Sequence, residues 1–142
     1  MGYEMERILG IDVGDKRIGV AVTDPLQITA QGVMTVKRKT RDDDLEAFRQ
    51  LVEKYEIKRI VAGLPVNMDG SESAQTRKTV NFCQFIKKRL GVEIIYMDER
   101  LTSSWSERVL IEGNVSRENR KDYIDMLAAQ LILQSYMDRA NQ

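Results

Sequence analysis

The sequence predicts an α/β protein built on a five-stranded mixed sheet of order 3-2-1-4-5, with helices on both faces. Short apolar, β-favouring runs recur at residues 8–11, 18–22, 28–36, 58–64 and 92–97. The first three are joined by short turns, which makes them an antiparallel meander. The later ones are separated by stretches of helical periodicity, which makes them parallel crossovers.

The first run sits in RILGIDVGDKRIG, Arg7 to Gly19. Ile8, Leu9 and Ile11 form the continuous apolar stretch of a strand buried on both faces. Asp12 interrupts it at the strand's end, and Gly14 with Asp15-Lys16-Arg17 makes a polar turn. Ile18 to Val22 return as the second strand, with Gly19 marking a bulge or a close backbone approach. Asp24-Pro25 is a turn, and ITAQGVMTV is the third strand, irregular at Gly32. Thr40 is the expected N-cap of the first helix, and Asp42, Asp43 and Asp44 suit its positive end as solvated acids. Leu45, Phe48, Val52 and Tyr55 then recur at helical spacing.

Residues 58–64 form the fourth strand, ended by Pro65, and PVNMDGSES is a loop. A helix over 71–90 carries the stripe Val80, Cys83, Ile86 and Leu90, with Gly91 as its C′ residue. VEIIYM is the fifth strand and runs into Asp98-Glu99-Arg100. Thr102 or Ser104 caps a short helix through Glu112, which Gly113-Asn114 breaks. A basic segment, Arg117 to Lys121, leads into a last helix over 122–139. There Asp125, Ala128, Ala129 and Ile132 share one face, so an acid heads the small-residue stripe that packs on the sheet.

At 142 residues the chain is expected to be one domain over 1–142. Lys plus Arg and Asp plus Glu both number 22, so nucleic-acid binding has to rely on local basic patches. The absence of histidine excludes Ser-His-Asp and Cys-His nucleophile systems and His-ligated zinc. Carboxylates remain, with or without a hard cation. The charged N-terminus, the lone Cys83 read as a reduced core residue, and the lack of a membrane-length apolar run imply a cytoplasmic protein without a membrane partner.

The topology gathers the chemistry. Strands one, three, four and five point the same way, and ligands bind at the carboxyl edge of open α/β sheets. Asp12 and the Asp98-Glu99 pair fall on that edge, and the last helix can bring Asp125 to it. An acid ending a buried strand needs a cation. A nearby Lys or Arg supplies one reading, Lys121 at i−4 being available to Asp125; a metal ion supplies the other. Three carboxylates converging from distant segments favour the metal. Lys16 and Arg17, Lys37 to Lys39, and Arg117, Arg120 and Lys121 surround the same edge, an arrangement suited to a phosphodiester backbone.

ILGIDVGDKRIGVAV, VAGLPVNMDGS, MDERLTS and RKDYIDMLAAQLILQSYM, in that order, closely resemble the YqgF (RuvX) family, labelled Holliday junction resolvases. The resemblance covers nearly the whole chain and implies a ribonuclease H-like fold. By it, Asp12, Glu99 and Asp125 match the acidic positions expected to bind Mg²⁺ or Mn²⁺, with Asp98 the second choice beside Glu99. It implies phosphodiester hydrolysis, either in maturation of the 5′ end of pre-16S rRNA, which is preferred, or in resolution of four-way DNA.

Lys16, Arg17 and Arg100 are the candidates for phosphate contacts; Asn67 and Thr102 either orient substrate or serve as turn and cap. The expected partners are pre-rRNA or branched DNA and ribosomal precursor particles. A symmetric junction would favour a homodimer, and an RNA end a monomer; Trp105 is read either as part of an interface or as core. Two further readings are an actin-like nucleotide-binding module, from Asp12-x-Gly14-x-x-x-x-Gly19, and a non-catalytic RNA- or ribosome-binding protein.

Overall fold

The computed structural model describes residues 5–101 and 120–140. Its elements are β1 (Ile8–Val13), β2 (Arg17–Thr23), β3 (Ala30–Lys37), α1 (Arg41–Tyr55), β4 (Arg59–Leu64), α2 (Ala74–Leu90), β5 (Glu93–Asp98), a 3-10 turn (Glu99–Leu101) and α3 (Arg120–Ala140). The helix expected from Thr102 or Ser104 to Glu112, together with Trp105 and Arg117, lies outside the described residues.

The strand order is β3-β2-β1-β4-β5. β1 pairs antiparallel with β2 and parallel with β4; β2 pairs antiparallel with β3, and β4 parallel with β5. Four strands therefore end on one edge, as the connection lengths predict. Side chains alternate across the sheet. Leu9, Ile11 and Val13 share one core with Phe48, Leu51, Phe82, Cys83 and Ile86 of α1 and α2. Phe48 and Phe82 meet edge to face there, with ring centroids 5.5 Å apart. Ile8, Ala21, Val61 and Met97 share the other core with Ala129, Ile132, Leu133 and Met137 of α3. Helices cover both faces, α1 and α2 the first and, among the described residues, α3 the second.

Local side-chain bonds explain where the elements start. β3 begins at Ala30 rather than at 28 because the Asp24 carboxylate accepts the Ile28 and Thr29 N–H groups at 2.6 and 2.8 Å. The β2–β3 register slips between Val20 and Ala21, leaving Val33 as the extra residue beside Gly32. α2 is capped by Ser73 rather than starting at 71, because Ser71 is held in the preceding loop by the Asp69 carboxylate. Ser73 and Thr76 form a reciprocal capping box, and Gly91 closes the helix at φ +66°.

Asp44 departs from the expected solvated acid. Asp42 and Asp43 are exposed, but Asp44 is only 3% exposed. It accepts the Lys39 N–H at 3.0 Å and pairs with Arg38 at 3.4 Å. Thr40 caps the helix through the Asp43 N–H, which leaves Asp44 free to face inward and fasten the strand-to-helix corner. Cys83 is fully buried, and burial pushes its thiol up to about 12. Among the described residues no helix is long and apolar enough to cross a membrane.

Candidate active site

Asp12, near the end of β1, is the register partner of Gly19 on β2. Gly10, two residues earlier on the same face, lies against α3: a Cβ there would stand 2.7 Å from the Leu133 Cβ. Asp12 therefore shares the α3 face of the sheet. At Gly19 the helix comes closest, since a Cβ would overlap the Asp125 carbonyl oxygen. The close approach read at Gly19 is the crossing of α3 over β2, where the Asp125 backbone lies against the register partner of Asp12.

The neighbour on the other side is β4. Ile11 pairs with Ala62, and Gly63 is the next residue along. A Cβ at Gly63 would lie 2.8 Å from Glu99 Oε1 and 3.3 Å from its Cγ. Strands lie about 4.8 Å apart, so Asp12 has Asp125 over the glycine on one side and Glu99 over the glycine on the other. The segments that carry Asp125 and Glu99 thus approach β1 from its two neighbouring strands.

Of the two adjacent acids, Asp98 is committed elsewhere. It ends β5, and its carboxylate takes both Arg100 Nε at 3.1 Å and Nη2 at 2.7 Å, with the Arg100 N–H at 2.9 Å. The Arg100 guanidinium holds the Asp98 carboxyl below the usual carboxylate range. Glu99 begins the 3-10 turn. The turn, rather than strand alternation, separates the two side chains and carries Glu99 to Gly63.

Asp125 meets Arg17, Nε to Oδ2 at 2.9 Å, with both side chains about a quarter exposed. The hairpin arginine thus serves Asp125 as an ion-pair partner. Lys16 is exposed at the tip of the same hairpin. Arg100 Nη1 donates to the Met68 carbonyl at 3.0 Å, tying the 65–72 loop to the end of β5. Asn67 closes that loop on itself: its N–H donates to the Ser71 carbonyl and its Nδ2 to Ser71 Oγ, both at 3.0 Å. Thr102 lies outside the described residues.

The donor set fits a hard divalent cation: three carboxylates, all oxygen, no histidine. Among the described residues no three acidic or cysteine side chains stand together as a ready metal cluster, and Asp125 is paired with Arg17. Sequence reading missed two supports of the site. One is Gly63, whose missing side chain makes room for Glu99; a glycine inside a buried strand was the available signal. The other lies behind Asp12, where Arg38 Nη1 donates to the Gly14 carbonyl at 2.9 Å and Gln75 Nε2 to the Val13 carbonyl at 3.1 Å. No local pattern announces contacts that span so many residues.

Comparison with known proteins agrees with this fold. Residues 6–139 match the family model RuvX, described as Holliday junction resolvase. A relative from Clostridium botulinum strain Hall, named "Putative pre-16S rRNA nuclease", is 47% identical over 132 residues, covering 93% of this chain and 96% of its own. A Clostridium acetobutylicum protein of the same name is 48% identical, covering 93% and 98%. Among solved structures, Thermus thermophilus RuvC in complex with a Holliday junction superposes with a TM-score of 0.60 at 14% identity, over 96% and 97% of the two chains. The yeast mitochondrial Holliday junction resolvase does so with a TM-score of 0.53 at 14% identity, over 95% and 79%. The sheet order, the α3 crossing and these matches along nearly the full length lead to one conclusion: the chain belongs to the RuvX family, nucleases with the ribonuclease H-like fold of RuvC.

Proposed function

We propose that this chain is a single-domain, divalent-metal-dependent nuclease over residues 1–142 that processes the 5′ end of pre-16S rRNA in the cytoplasm, with Asp12, Glu99 and Asp125 as its metal-holding carboxylates. The observation that carries the reading is the flanking of Asp12 by two glycines, one under Asp125 and one under Glu99. The relatives' name at nearly half identity supports the ribosomal substrate.

Mg²⁺ or Mn²⁺ is the cation these oxygens suit. When bound, it stabilises charge on the phosphoryl group and makes water acidic enough to attack. The chain's own residues do the rest. Asp12 sits on the rigid central strand and anchors the site. Glu99 reaches it from the turn after β5, and Asp125 from the inward face of α3. Arg17 pairs with Asp125 and, with Lys16 beside it, would meet a substrate phosphate. Arg100 and Asn67 keep the 65–72 loop in place along the same edge, and Thr102 follows Glu99 as a substrate-orienting residue. Asp98, neutralised by Arg100, acts through the position of that loop.

The test is cleavage in Mn²⁺ of a pre-16S 5′-end RNA beside a four-way DNA junction, by wild type and Asp12→Asn. RNA cleavage lost in the variant supports the reading. The family description favours a second reading, junction resolution; symmetric nicking of the junction alone, by a dimer, would support that instead.

A further inference from the structure

On the face opposite α3, α1 and α2 enclose a groove of about 700 Å³. It is strongly cationic although the chain's formal net charge is zero. Arg38, Arg41, Lys78, Lys88 and Arg89 line it against one acid, Asp44. That acid is buried and already shared by Arg38 and the Lys39 N–H. Asp15 pairs with Lys78 at 3.3 Å from outside the lining, but both side chains are more than half exposed, so solvent screens the pair.

The cations are held in place. The Arg41 guanidinium stacks 4.2 Å from the Phe85 ring centre and Arg89 lies 5.2 Å from the same ring, while Arg38 lies 5.0 Å from that of Phe82. Lys78, Asn81, Phe85, Lys88 and Arg89 share one face of α2, which makes a polar and basic row about 16 Å long at 1.5 Å per residue. The row's upper end joins the candidate active site. Arg38 Nη1 holds the Gly14 carbonyl, two residues beyond Asp12, and Lys78 reaches Asp15 of the same hairpin.

We propose that this groove binds the sugar-phosphate backbone of a nucleic-acid strand as it leaves the carboxylate edge, over the 14–17 hairpin and down α2. The inference rests on the nuclease reading and extends the substrate contact to the second face of the sheet. Contacts are to phosphates, so binding is sequence-tolerant.

The experiment measures binding of a short single-stranded RNA across a salt series, in EDTA on the Asp12→Asn background, so that no cleavage enters. The triple variant Arg41→Gln, Lys88→Gln, Arg89→Gln is compared with a control of equal charge change outside the groove lining, Arg49→Gln, Lys54→Gln, Lys58→Gln. The groove variant is expected to bind more weakly, with the slope of log K against log salt shallower by about 2. The control keeps the parent slope. Should the triple variant melt early, Lys88→Gln alone, which stacks on no ring, still has to lower the slope by about 0.7.

Equal slopes for groove and control overturn the proposal. So does displacement of the RNA by inorganic triphosphate at matched phosphate concentration, which would make this a small-anion site. Groove-dependent binding without any Mn²⁺ cleavage by the wild-type residues would keep the groove and defeat the nuclease reading. Cleavage with groove-independent binding would do the reverse.

Discussion

Glu99 lays its carboxylate over Gly63, and the absence of a side chain at Gly63 is what gives it room: a Cβ there would stand 2.8 Å from Oε1. Gly63→Ala is therefore expected to displace Glu99 and the tip of Ile132 while the sheet survives. Cleavage should fall by at least tenfold, with a stability cost of about 1–2 kcal/mol in a denaturant titration. Undiminished activity in a folded Gly63→Ala protein would show that Glu99 does not need that position.

Gly19→Ala poses a harder problem. Its neighbour is the Asp125 carbonyl oxygen, which is helix backbone and cannot rotate away. The whole of α3 has to shift, so the variant should lose about 3 kcal/mol and melt about 10 °C lower. A melt unchanged from wild type would contradict the close crossing of α3 over β2.

Arg17 and Asp125 set up a competition between an internal guanidinium and an added cation. Arg17→Gln should bind Mn²⁺ more tightly than wild type, by titration calorimetry, and yet cleave more slowly because a phosphate contact is gone. If affinity for Mn²⁺ drops in the variant, Arg17 is a support of the site and not its competitor.

Most of this architecture could be read from the chain. Short turns against helical crossovers give the sheet order without reference to any contact. Asp12 stands out because an acid breaks an apolar run, and Asp125 because it heads the Ala128-Ala129-Ile132 face. The remainder depends on distances that sequence spacing does not encode. Arg17 reaches Asp125 across 108 residues, and Gln75 reaches the Val13 carbonyl across 62. Asp44 looked like its solvated neighbours because composition cannot tell which of three consecutive acids turns inward. That depends on where Thr40 caps α1 and where Arg38 lies.

Asp44 offers a stability test away from the active edge. Asp44→Ala leaves the Arg38 guanidinium and the Lys39 N–H without this acceptor in a nearly closed site, an expected loss of about 3 kcal/mol. Arg38→Gln should cost less, because Asp44 keeps the Lys39 N–H. Equal melts for the two variants and wild type would mean that the corner does not rely on Asp44.

The Asp98–Arg100 clamp carries a pH signature. Asp98 is held below the ordinary aspartate value by Arg100. The clamp's contribution is therefore complete above that value and fades only as pH falls through the lower folded-state value. Protection of the 65–72 amides in hydrogen exchange should persist at pH 5, and should be lost there in Asp98→Asn.

The central claim concerns Asp12, and the most direct measurement is cleavage of a pre-16S 5′-end RNA in Mn²⁺ by wild type and by Asp12→Asn, with RNA binding followed in parallel. The account predicts cleavage by the wild type, at least a thousandfold less by the variant (about 4 kcal/mol of barrier), and comparable binding by both. A folded Asp12→Asn protein that cleaves as fast as wild type would contradict it.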